Sequence, residues 1–128
     1  MDKKILVETN IQEGKELVIA LDNSKFIVSG ALWFYYSQLD EWRLLIVSPL
    51  VDLIGPNKAY TIIQSVIQDL RPISISIFNV SVLSPKNNLI QLLRVALRTE
   101  PKTISQIRFT SNTINNVFIE DALIYRLT

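Results

Sequence analysis

Residues 27–47 constrain this chain more than any other stretch. Ile27–Tyr36 and Trp42–Val47 are rich in β-branched and aromatic residues, and the polar interval Ser37-Gln38-Leu39-Asp40-Glu41 separates them. That pattern predicts an antiparallel hairpin. A five-residue loop sets Tyr36 opposite Trp42 and Tyr35 opposite Arg43. In that register one face carries Leu32, Phe34, Tyr36, Trp42, Leu44 and Ile46, and the other Ala31, Trp33, Tyr35, Arg43, Leu45 and Val47. Neither face is polar. A strand pair apolar on both sides requires cover on both sides, from helices of its own chain or from another molecule.

The flanking segments supply helices. Asn10 followed by Glu13 resembles a capping box, and Leu17, Val18 and Leu21 form an apolar stripe running to about Asp22. Gly14 weakens such a helix by about 1 kcal/mol relative to alanine, which points to close packing at that position. Gly55-Pro56 opens a second helix, along which Ala59, Tyr60, Ile63, Val66, Ile67 and Leu70 recur at helical spacing before Arg71-Pro72. Ile73 to Ile77 alternates as a strand, and its phase switches at Phe78 so that Phe78, Val80 and Val82 become the apolar set; a bulge near Phe78-Asn79 accommodates the switch. Ser84-Pro85 reads as N-cap and first residue of a third helix, with Leu89, Leu92, Leu93, Ala96 and Leu97 on one side and Asn87, Gln91, Arg94 and Arg98 on the other. After Pro101 a strand over about Ile104–Phe109, a polar turn over Thr110–Asn116 and a last strand from Val117 to about Leu127 complete the chain. The expected order is α-β-β-α-β-α-β-β. It describes a single α+β domain over residues 1–128, with a mainly antiparallel sheet of about five strands packed with helices.

Composition narrows the chemistry. The 128 residues include no cysteine and no histidine, so Cys/His zinc sites, thiolate chemistry, haem ligation by His or Cys and histidine-based triads are excluded. Catalysis is left with Asp, Glu, Lys, Tyr, Ser and Thr, and no spaced constellation unites nucleophile, base and charge stabiliser. No motif names a reaction, and no cofactor or metal is expected. Asp40-Glu41 and Glu120-Asp121 are adjacent acidic pairs; consecutive strand residues point to opposite faces, so pairing with basic side chains is the expected use. Asp52, Lys58 and Tyr60 surround Gly55-Pro56 but lack the glycine-rich cradle of a phosphate loop. The apolar run Ile5-Leu6-Val7 stops at Glu8, and nothing approaches the ~18 apolar residues of a membrane span. A soluble cytoplasmic chain without membrane partners is the expectation.

Charge is distributed unevenly, with six basic and nine acidic side chains over residues 1–69 and six basic against one acidic over residues 70–118. Lys86, Gln91, Arg94, Arg98, Lys102 and Arg108 make up a candidate basic patch. Its phosphate-gripping chemistry would suit nucleic acid. The aromatic hairpin offers the stronger candidate, with Trp33, Tyr35, Trp42 and Arg43 as interface anchors; the alternative use of its aromatics is core packing with a Tyr35–Arg43 cation–π contact. A mean hydropathy of +0.26 is high for a small domain. These features predict a non-enzymatic module that binds a protein partner or its own copy through the hairpin, with a nucleic-acid-binding accessory role as the alternative.

Overall fold

The computed structural model of the protein describes residues 3–128. Its elements are α1 (Glu8–Asn23), β1 (Gly30–Tyr36), β2 (Glu41–Val47), α2 (Leu50–Ile54), α3 (Pro56–Asp69), β3 (Val80–Leu83), α4 (Asn88–Ala96), β4 (Ile107–Ile114) and β5 (Val117–Leu127). The strands form one sheet in the order β3-β2-β1-β5-β4. The expected α+β class holds, but the sheet is mixed: β3 joins β2 in parallel while every other pairing is antiparallel. A parallel pair needs a crossover, and α3 supplies it. Among the described residues no helix is long and apolar enough to cross a membrane.

The hairpin lies inside this sheet with both faces covered by its own chain. On one side Ala31, Trp33, Leu44 and Ile46 pack with Ile11, Leu17 and Leu21 of α1 and Ile63 and Ile67 of α3. On the other, Leu32, Phe34, Leu45 and Val47 pack with Ile90 and Leu93 of α4 and Ile124 of β5. The result is three layers, with the sheet between two helical covers.

Tyr36 pairs with Glu41, Tyr35 with Trp42 and Phe34 with Arg43, one residue away from the expected register. Glu41 belongs to the strand, so the loop has four residues and Asp40 turns the chain at φ 47°. Because side chains alternate with period two, that single residue moves all of β2 to the opposite face relative to β1. Arg43 therefore shares a face with Phe34, and Trp42 with Tyr35.

Four further expectations are corrected. Helix α1 begins at Glu8 behind Val7, so Asn10 is no cap, and the Glu13 carboxylate instead accepts from the backbone N–H and hydroxyl of Ser74. Of the strand read from Ile73, only Val80–Leu83 pairs; Ile77–Asn79 is a single 3-10 turn capped by Ser76. Helix α4 is capped by Asn87, whose side chain accepts from the N–H groups of Leu89 and Ile90, and it ends at Ala96. Ser84 bonds to Asp52 instead. The polar turn before β5 shrinks to Asn115 and Asn116, both at positive φ, so β4 runs on to Ile114; two such residues suit a tight hairpin turn.

Candidate functional site

Trp33 and Tyr35 are buried, 3% and 5% exposed, and their polar atoms are used inside the chain. Trp33 Nε1 donates to the Tyr125 hydroxyl at 3.0 Å, which donates to the Ile11 carbonyl at 2.6 Å. These two bonds seat α1 on the sheet. Burial raises the Tyr125 pKa above its ordinary value. Gly14 lies over this contact, where a Cβ would meet the Tyr125 hydroxyl and come within 2.8 Å of Trp33 Nε1.

Around Tyr35 and Trp42 the N-terminal segment straps the hairpin. The Tyr35 hydroxyl donates to Asp40 at 2.7 Å, the Lys4 N–H donates to the same carboxylate at 2.9 Å, and Trp42 Nε1 donates to the Lys4 carbonyl at 2.9 Å. The Lys4 N–H and the Tyr35 hydroxyl hold the Asp40 carboxyl below the usual range. The hydrogen bond to Asp40 and burial push Tyr35 up to about 12. The Lys3 ammonium stands 5.1 Å from the Tyr35 ring and 5.8 Å from the Trp42 ring, and pairs with Asp121 at 2.6 Å. Arg108 grips both oxygens of Asp121 at 2.7 and 2.8 Å while its guanidinium lies 5.6 Å from Trp42. Burial pushes the Asp121 carboxyl up, but the bonds from Arg108 and Lys3 outweigh it and leave it lowered. The cation–π partners of the hairpin are thus Lys3 and Arg108. Arg43, on the other face, binds Ser81 and the carbonyls of Phe78 and Val80 across β3.

The basic residues do not form one patch. Gln91, Arg94 and Arg98 meet around a shallow depression beside Val95. Lys86 is exposed just before the N-terminus of α4. Lys102 lines a different cavity, and Arg108 is committed to Asp121 on the opposite side of the sheet. Among the described residues no group of three Asp or Glu side chains converges to hold a metal ion.

Two features have no counterpart in the sequence reading. At the hairpin tip, Leu39 (68% exposed) and Phe118 (60%) line one depression of about 160 Å³ with Tyr36 and Glu120. At the opposite end of β1 a cavity of about 460 Å³ opens beside Arg126. Arg126 is fully buried, with its guanidinium bound to both oxygens of Asp22 and to the carbonyls of Val28 and Thr103. A bulge puts it there: Ala31 pairs with Arg126 and Leu32 with Ile124, leaving Tyr125 as the extra residue. The bulge turns both Tyr125 and Arg126 toward α1. Compared with known proteins, the chain matches no family model, no curated protein and no solved structure.

Proposed function

We propose that this domain is a non-enzymatic protein-interaction module that binds another protein through the tip of its aromatic hairpin. The observation that supports this reading is the pair Leu39 and Phe118, two large apolar side chains left exposed on adjoining hairpins and lining one depression. Tyr36 adds an aromatic wall, packed edge-to-face on Phe34 at 4.8 Å, so the surface sits on a rigid base. Rigid apolar anchors ringed by polar groups are what interface hot spots require. Trp33 and Tyr35 then serve as the internal support of the hairpin, and Trp42 and Arg43 stiffen its second strand. We assign the protein to the cytoplasm, since a cysteine-free chain suits a reducing compartment.

The test compares the parent with Leu39→Asp/Phe118→Asp by native mass spectrometry and sedimentation velocity, alone and after affinity isolation. A dimer or a defined heteromer that the folded double variant loses supports the reading. Identical association by parent and variant, or a parent that stays monomeric and isolates nothing, overturns it.

The convergence of Gln91, Arg94 and Arg98 favours one further reading, a nucleic-acid contact on α4. Two arginines on phosphates give a log–log salt slope of about −2 on duplex DNA. Equal affinity for Arg94→Glu/Arg98→Glu and the parent would remove that reading.

A further inference from the structure

We infer that the 460 Å³ cavity beside Arg126 is a binding site for a small amphipathic carboxylate, with its apolar tail inside and its headgroup between Lys25 and Lys102. The site is independent of the hairpin tip, which lies about 20 Å away along β1 at ~3.3 Å per residue.

The cavity is built for an apolar tail. Phe26 and Val28 line it as buried residues, and Ile27, 53% exposed, lines it with Pro101. The guanidinium in the lining is already neutralised: Asp22 takes both Nη atoms of Arg126, and two carbonyls take further N–H groups. An anion entering the cavity therefore meets no free guanidinium. The positive charge without an ion-pair partner comes from two lysines of the lining. Lys25 and Lys102 are exposed lining residues, and among the described residues neither ammonium has a carboxylate within ion-pair distance. Both stand at left-handed backbone positions, φ 64° and 68°, at the turns bounding the cavity. Apolar walls with a few placed charges define the chemistry of small-molecule sites, and here the two lysines favour an anion.

Size bounds the ligand. At roughly 30 Å³ for each water-sized group, 460 Å³ accommodates up to about fifteen non-hydrogen atoms. Alkanoates from hexanoate to decanoate fall within that limit and serve as probes below their aggregation thresholds. Each methylene that enters the cavity should tighten binding about fourfold.

The experiment is an amide NMR titration of the intact protein with hexanoate, octanoate, decanoate and neutral 1-decanol. Expected are saturable shifts centred on residues 25–29 and 102–103, affinity rising with tail length, and about tenfold weaker decanoate binding by Lys25→Glu/Lys102→Glu with 1-decanol unaffected. Ile27→Asp, which places a carboxylate on the exposed wall, should weaken every probe and covers the case in which the double variant does not fold. Absence of saturable shifts with decanoate, shifts centred elsewhere, or decanoate binding undiminished in both variants would overturn the assignment.

Discussion

Replacing glycine by alanine inside a helix ordinarily stabilises a protein by about 1 kcal/mol, yet Gly14→Ala should destabilise this one. The new Cβ lands on the Tyr125 hydroxyl, 2.8 Å from Trp33 Nε1 and 3.0 Å from Tyr125 Cζ. None of these atoms is free to move. Tyr125 is fully buried on a rigid ring, and its oxygen is held between Trp33 and the Ile11 carbonyl. Overpacking costs about 1–3 kcal/mol, and forcing the hydroxyl off a buried partner costs about 1–3 kcal/mol more. Set against the helix gain, the net loss is about 1–5 kcal/mol, centred near 3. With a urea m-value of about 2 kcal/mol/M, the central value lowers the midpoint by about 1.5 M. Tryptophan fluorescence follows the transition directly, because Trp33 sits at the contact. A second variant isolates the cause. Tyr125→Phe removes the obstructing oxygen, so Gly14→Ala should cost at least about 1 kcal/mol less in that background than in the parent. A Gly14→Ala protein as stable as the parent, with an unchanged m-value, refutes the close-packing argument.

The remaining predictions concern the other buried polar contacts. Asp22→Ala strands the buried Arg126 and should cost about 3 kcal/mol, more than Arg126→Met, which leaves a partly exposed Asp22 able to hydrate; urea midpoints in the reverse order would contradict this. Asn87→Ala removes the cap of α4 and should cost about 1 kcal/mol in thermal unfolding, with Ser84→Ala costing less. Equal losses would return the helix start to Ser84. Tyr35 should titrate near 12. Since its folded value lies above its unfolded value of about 10, its contribution is complete below pH ~10 and declines as pH rises toward the folded value. Ring NMR shifts of Tyr35 that titrate at the ordinary value would rule out the Asp40 contact, and Tyr35→Phe should flatten part of the alkaline loss.

Much of the architecture is legible where periodicity is long and strong. The stripe from Ala59 to Ile67 identifies α3, and the two apolar hairpin faces require cover on both sides, which α1, α3 and α4 provide. The errors cluster where local pattern and hydrogen-bond supply disagree. Ile73 to Ile77 alternates like a strand, yet only Val80–Leu83 lies alongside β2 to pair with it. Of the site residues, Trp33 and Tyr35 are found as central hairpin aromatics, but as support for the sheet and not as surface. Arg126 is not legible in the sequence, because a bulge breaks the strand alternation around it.

The sequence by itself determined the chemistry this chain lacks, the α+β class and the need to cover its hairpin twice, because each follows from residue type and periodicity over short windows. The tertiary structure alone decided which residues meet. Lys3 reaches Asp121 across 118 positions and Asp22 reaches Arg126 across 104, and no local pattern encodes contacts at such separations. It also decided which apolar groups stay outside. Leu39 and Phe118 are as apolar as the core residues, yet they stay exposed at the ends of two hairpins, where they line one depression with Tyr36 and Glu120.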